Sequence, residues 1–332
     1  MLENQLPKLD LNITNRCNFR CVHCAFDSGC KEMKELSLKK IKQILVQTKK
    51  LGGERFDITG GEPLLRNDVF QIVEFGKKLG YKIELVTNGS LLSNDKLGKF
   101  KNLGLDAIAV SLDGSNYKIY DKIRNVSKRT YEKVVNNIKK AVAMGFNVKI
   151  NTLVCKSNYK DIPNIIQFCI ENNIKEQGMY YFTPVGRGER NNERAVEPLA
   201  WLKFIQEHLL RYEDKIKIGL EVPLAKKGLI KKENRCIADS ERYHLQILPD
   251  GNVYPCAILA SYEKPIANLH KTNIPDIWQN KKLWREYWDK INILFTACKY
   301  CVNFKAFNIS CYDFEKYDFV CPLRKFKPSE VV

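Results

Sequence analysis

Three cysteines, Cys17, Cys21 and Cys24, fall within the short run Arg16-Cys17-Asn18-Phe19-Arg20-Cys21-Val22-His23-Cys24. Thiolates hold iron–sulfur clusters, and an ordinary four-iron cluster takes four of them. A compact triad would fill three corners and leave one iron open to a ligand the protein does not supply. Cys21-Val22-His23-Cys24 alone would also suit half of a zinc site. The additional thiol at Cys17 favours the cluster, and His23 is read as packing or surface because the thiols suffice without it.

Five further motifs could carry chemistry: Thr59-Gly60-Gly61-Glu62-Pro63, Thr87-Asn88-Gly89, Ser111-Leu112-Asp113-Gly114, Asn151-Thr152 and Pro184-Val185-Gly186-Arg187-Gly188. Each closes a β-like run, and the triad follows the first such run. The runs are 8–13, 55–59, 82–87, 107–112, 147–153 and 177–183. Amphipathic segments with plausible starts lie between them: Ser37 before 38–51, Asn67 before 68–79, Ser93 before 94–103, Thr130 before 131–144, Pro163 before 164–172 and Pro198 before 199–212. Gly52, Gly80, Gly104 and Gly145 close four of these helices. Strands alternating with helices predict a parallel sheet with right-handed crossovers. Six units are too few for a full eight-stranded barrel, so the expected fold is α/β, a partial (β/α)6 TIM-like barrel over residues 1–215. In such sheets sites form at the carboxyl ends of the strands, where all these motifs fall.

The pattern changes near Ile216. Strand-like 243–248 and 252–255 flank Pro249-Asp250-Gly251, which reads as a hairpin, and a helical stretch follows at 274–288. The tail then carries Cys298, Cys301, Cys311 and Cys321 with little apolar periodicity, so metal is expected to organise that tail, and residues 216–332 are expected to form a second, small Cys-rich domain. Cys30, Cys155 and Cys169 read as buried or incidental thiols.

The chain has 332 residues, 44% hydrophobic and 28% charged, which suits a globular protein of one large or two moderate domains. Twelve cysteines in that length are too few for a disulfide scaffold, and no stretch is apolar enough to span a bilayer. The expected compartment is therefore the reducing cytoplasm, with no membrane partner. The formal net charge is +17. It recurs as lysine pairs such as Lys39-Lys40 and Lys139-Lys140, mostly at helix ends. No arginine-rich block or RNA-binding motif accompanies it, so nucleic acid is not the expected partner.

The ordered set of motifs resembles the radical S-adenosylmethionine (SAM) superfamily across about residues 8 to 215. The resemblance implies that Cys17, Cys21 and Cys24 ligate a 4Fe-4S cluster whose open iron chelates SAM. Gly60, Gly61, Glu62 and Pro63 would meet the SAM amino group, Asn88 the ribose side, and Ser111 with Arg124 the carboxylate, which a guanidinium suits bidentately. One-electron reduction would cleave SAM to methionine and a 5′-deoxyadenosyl radical, which takes a hydrogen atom from the substrate. A flavodoxin- or ferredoxin-type reductant is the implied electron source.

The C-terminal part resembles the SPASM and twitch extensions of that superfamily, small Cys-rich domains that hold auxiliary iron–sulfur clusters. Cys236, Cys256, Cys298, Cys301, Cys311 and Cys321 match, while Phe307 stands where a further cysteine would fall. Two partitions stay open. Two clusters could each take three thiolates, Cys236, Cys256 and Cys311 against Cys298, Cys301 and Cys321, with Asp313 a conceivable oxygen ligand. Alternatively, Cys236, Cys256, Cys298 and Cys301 hold one complete cluster. A structural zinc ribbon is the competing reading. Auxiliary clusters in this family serve oxidations, so an oxidative modification or cross-link of a ribosomally made peptide is the first expectation. Tetrapyrrole side-chain chemistry and small-molecule dehydrogenation follow, and a non-catalytic metal- or RNA-binding module is the reading of a different class. The first β-like run begins within ten residues, so a peptide substrate is expected to use a separate leader-peptide carrier protein or the basic surface. The catalytic residue for any proton transfer is not legible.

Overall fold

A computed structural model describes residues 8–30, 32–220, 244–255, 257, 259–262 and 264–290. Seven strands run parallel in sequence order: β1 (Lys8–Asn12), β2 (Arg55–Thr59), β3 (Lys82–Thr87), β4 (Ala107–Ser111), β5 (Val148–Val154), β6 (Glu176–Tyr181) and β7 (Lys217–Leu220). Helices connect them: α1 (Leu38–Lys50), α2 (Val69–Lys78), α3 (Asn94–Asn102), α4 (Tyr117–Arg124), α5 (Lys128–Ala143), α6 (Ile162–Glu171) and α7 (Pro198–Phe204). Helices α1 to α6 each turn buried apolar residues inward. In α1, for example, Ile41, Ile44, Leu45 and Thr48 turn inward at helical spacing, and Ser37 caps the first turn by accepting from Lys40 N at 3.2 Å. Along β1, Leu9 and Leu11 pack toward the helices, and Asp10 and Asn12 therefore point to the opposite, concave face.

The expected hairpin is present as β8 (His244–Ile247) and β9 (Asn252–Tyr254), with β10 (Ala267–Asn268) antiparallel to β9. Its place was not legible from pattern alone. β8 lies parallel to β1 on the side away from β2, giving one ten-stranded sheet in the order β10-β9-β8-β1-β2-β3-β4-β5-β6-β7. Gln246 reaches from β8 to Asn12 Oδ1 at 2.9 Å, a buried polar clasp between the two parts of the chain. The expected helix over 274–288 is two helices, Ile274–Trp278 and Lys281–Lys290, and the first docks on α1 through Ile274 N and Gln47 Oε1.

Other differences have local causes. α5 starts at Lys128, a turn ahead of the Thr130 start, because the Ser127 hydroxyl accepts from Thr130 N. Asp68 rather than Asn67 precedes α2, and its carboxylate caps nothing because Arg66 grips both its oxygens at 2.6 and 3.0 Å. Pro163 sits inside the first turn of α6, where proline's missing N–H costs nothing. The single helix expected over 199–212 is α7 followed by a π turn and a 3-10 turn. α4 and β7 were not anticipated, being short segments with few periods to read.

Candidate functional site

The chain leaving β1 turns sharply and wraps the triad over the carboxyl ends of the strands. Cys17, Cys21 and Cys24 line one cavity of about 390 Å³ together with Phe19, Ser111 and Tyr180. Each sulfur has an N–H donor: Phe19 N to Cys17 at 3.4 Å, Ser28 N to Cys24 at 3.3 Å, and Arg124 Nη1 to Cys21 at 3.6 Å. Such donors stabilise thiolate charge. Without metal, burial dominates and pushes the Cys17 thiol up to about 11; it also raises Cys21, against the pull of the Arg124 cation. Among the described residues no three Cys, His, Asp or Glu side chains converge on a single ion. Three thiols lining one cavity suit three corners of a multi-iron cube.

Behind the triad, the turn after β2 is stitched to the chain entering it. Gly61 N donates to Thr14 O and Glu62 N to Arg16 O, both at 2.8 Å. Neither glycine admits a side chain: a Cβ at Gly60, whose φ is +146°, would lie 2.5 Å from Thr14 O, and one at Gly61 2.3 Å from Arg16 O. The bare backbone of both glycines borders the cavity. Pro63 opens a short 3-10 turn. Glu62 is fully buried and accepts from Leu64 N, Thr87 Oγ1 and Asn88 N at 3.1, 2.8 and 2.8 Å. Burial raises its carboxyl pKa, and these three donors oppose the rise. Asn88 closes a ring of side chains: it donates to Asn18 Oδ1, Asn18 donates to Ser90 Oγ, and Ser90 returns to Asn88 Oδ1, all within 2.9 Å. The expected ribose contact thus also ties the triad loop to the end of β3.

Ser111 ends β4 facing the cavity, and Arg124 reaches it from the last turn of α4. The Arg124 Nε is held by Asp113, a wholly buried carboxylate whose other oxygen accepts from Leu153 N at 2.7 Å. That pairing fixes the guanidinium with one edge on Cys21, at the rim of the site. His23 was read as packing or surface, and the structure corrects this: it lines the cavity and its Nδ1 is buried with no hydrogen-bond partner among the described residues. Burial and the nearby arginines push its pKa down to about 3, so the ring is neutral.

The structure therefore gathers Cys17, Cys21, Cys24, Gly60, Gly61, Asn88, Ser111 and Arg124 on one cavity, with Glu62 and Pro63 immediately behind it. The donor set, the cradle that a Cβ would fill and the orphaned His23 nitrogen all fit an iron–sulfur cluster with an adenosyl ligand. Sequence reading missed Asn18, Asp113 and Leu153 as members of the site. Asp113 stood inside a motif already noted, but only the fold shows that it pairs with Arg124. Cys155 and Cys169 are buried thiols, raised by burial to about 11 and about 12, whereas Cys30 is exposed. Cys236, Cys256, Cys298, Cys301, Cys311 and Cys321, with Asp313, lie outside the described residues. A larger groove of about 730 Å³ runs along α1, lined by Leu38, Lys42, Val46 and Phe75, and holds no ligating side chain.

Comparison with known proteins agrees with this geometry. The family model of the radical SAM superfamily matches residues 11–169, and that of the SPASM iron-sulfur cluster-binding domain matches residues 236–302. An AdoMet-dependent heme synthase of Methanosarcina barkeri is 26% identical over 299 residues, covering 83% of each chain. A probable GTP 3',8-cyclase of Saccharolobus islandicus is 31% identical and covers 67% of this chain and 74% of its own. Among solved structures, Streptococcus suis SuiB bound to S-adenosylmethionine superposes with a TM-score of 0.72 at 20% identity, over 85% of this chain and 67% of that one. SuiB has also been solved bound to its precursor peptide SuiA. At that identity the likeness speaks to the fold.

Proposed function

The chain belongs to the radical SAM superfamily and carries a SPASM iron–sulfur domain, and from that premise we propose that it oxidises an unactivated C–H bond of a ribosomally made peptide. The observation that carries the SAM-cleaving part is the single cavity on which three donor-supported thiols, two side-chain-free glycines and Arg124 all open. The chemistry a bound cluster would supply is the single electron that cleaves SAM to methionine and a 5′-deoxyadenosyl radical able to take a substrate hydrogen. The chain's own residues prepare that event. Cys17, Cys21 and Cys24 would hold three irons and leave the fourth for SAM. The Gly60-Gly61 backbone would receive the SAM amino group, with Glu62 fixing the turn from behind and Pro63 ending it. Asn88 would face the ribose, and Ser111 and Arg124 would take the carboxylate. Asp113 holds Arg124 in place, so that no rotamer search is needed when SAM arrives.

Six thiols in the C-terminal part are assigned to auxiliary clusters, which would accept the electron left on the substrate radical. The net charge of +17 favours an acidic peptide or peptide carrier. A second reading, oxidative trimming of a tetrapyrrole carboxylate, is favoured by the heme synthase that aligns over 83% of both chains. A tetrapyrrole carboxylate is an anion as an acidic peptide is, so charge does not separate the two readings. Mass spectrometry does. Anaerobic turnover with a carboxylated porphyrin should leave it unchanged under the peptide reading, whereas a loss of carboxyl carbon transfers the assignment to the second. Iron analysis on the same protein separates the partitions: about 12 iron per chain for two auxiliary clusters and about 8 for one. Roughly 4 iron with stoichiometric zinc would remove the auxiliary-cluster role altogether. Cys311→Ala should still release 5′-deoxyadenosine but no modified substrate.

A further inference from the structure

The run Pro184-Val185-Gly186-Arg187-Gly188, just past β6, has no part in the assignments above, yet it grips the triad loop closely. Gly186 has φ +55°, and a Cβ there would lie 2.2 Å from Ala25 O and 2.7 Å from Cys24 O. The backbone N–H of Arg187 donates to Cys24 O at 2.9 Å. Its side chain then threads the loop: Nη1 donates to Cys21 O at 3.0 Å, Nη2 to Ser28 O at 2.8 Å, and Nε to Asp27 Oδ1 at 2.8 Å. Nη2 also stands 3.3 Å from Cys30 Sγ. One arginine beyond the sixth strand therefore bonds, by backbone or side chain, to Cys21 and Cys24, two of the three triad cysteines, and to the loop beyond them. Its side chain is only 20% exposed, so its charge is poorly screened.

We propose that Arg187 is a positioning residue for the SAM-binding cluster: it straps the 21–30 loop to the barrel, and as the cation behind Cys21 and Cys24 it raises the potential at which that cluster accepts an electron, with Asp27 as the opposing charge. The proposal rests on the reading that the triad holds a 4Fe-4S cluster. The physical reason is electrostatic. Reduction adds one negative charge to the cluster, and a nearby cation favours the added charge while a nearby anion disfavours it. Arg187 and Asp27 are bonded to each other, yet they must move the potential in opposite directions when neutralised singly. A purely structural clamp would move it one way or not at all.

Neutralising Asp27 is also gentle on the backbone. Asp27 sits at φ +48°, a conformation that asparagine adopts readily, and Asp27→Asn keeps an oxygen for Arg187 Nε. The test is an anaerobic redox titration of the reconstituted full chain, following the electron-paramagnetic signal that changes on adding SAM. That change distinguishes the SAM-binding cluster from any auxiliary one. Arg187→Gln should make reduction about tenfold less favourable, about 59 mV lower for one electron. Asp27→Asn should make it more favourable, and Arg187→Lys should keep the parent potential. Shifts of the same sign in Arg187→Gln and Asp27→Asn, or no shift in either at parental iron content, overturn the proposal. Should Arg187→Gln fail to load iron, Asp27→Asn decides: a raised potential supports the assignment and an unchanged one overturns it. A parent protein with no SAM-responsive signal would instead defeat the cluster reading on which the proposal rests.

Discussion

Arg124 and Asp113 show how one side chain can serve structure and chemistry together. Asp113 is fully buried and Arg124 nearly so, and each is the other's charge partner. Breaking such a pair leaves an uncompensated charge in a medium that solvates it poorly. Arg124→Ala should therefore destabilise the fold by about 3–5 kcal/mol. Adding Asp113→Asn should recover part of that loss, and anaerobic urea unfolding of the two variants measures the difference. A loss below about 1 kcal/mol in the single variant would mean that Asp113 is solvated or paired elsewhere. At this scale the sequence was most informative where chemistry demands particular residue types. Three thiols, a glycine pair that no Cβ can replace and a strand-end serine were legible as a set. His23 and Asp113 were not, because a histidine beside ligands and an aspartate in a turn have many ordinary explanations. Only their surroundings, an orphaned ring nitrogen in one case and a buried guanidinium in the other, distinguish them.

The elements that carry the site were mostly legible because short runs alternating apolar and polar residues, as in β3 and β5, recur between amphipathic helical segments. β2 and β3 lie where the pattern put them, and β1, β4, β5, β6, β8 and β9 shift by a residue or two at their ends. What escaped was what depends on distance in the chain. The pairing of β8 with β1 joins residues more than two hundred positions apart, and no local pattern carries it. The same holds for the grip of Gly186 and Arg187 on the triad loop. Local signals predict local effects. Ser37 caps α1, the helix that follows the triad loop, and Ser37→Ala should cost about 1 kcal/mol in unfolding free energy without altering iron content. A fall in iron content at unchanged stability would instead place Ser37 in the metal site.

Over the whole molecule, the sheet brings the carboxyl ends of β1 to β6 around one cavity and runs on through β8 into the part of the chain that the SPASM domain occupies. Below the cavity, on the face that carries Val86, Asn151 and Tyr180, Glu84, Lys149, Glu176 and Lys217 form a chain of ion pairs at 2.8, 3.5 and 3.7 Å. The floor is thus polar but internally compensated, and the chemistry is left to the mouth. Among the described residues no helix is long and apolar enough to cross a membrane. Reductive cleavage of SAM at this mouth can be assayed on the protein itself. The full chain, reconstituted with iron and sulfide under anaerobic conditions, is incubated with SAM and dithionite, and 5′-deoxyadenosine is quantified alongside Cys21→Ala. The parent protein should release 5′-deoxyadenosine and the variant none above background. No 5′-deoxyadenosine from an iron-loaded parent, or equal amounts from both proteins, would contradict cleavage at this mouth.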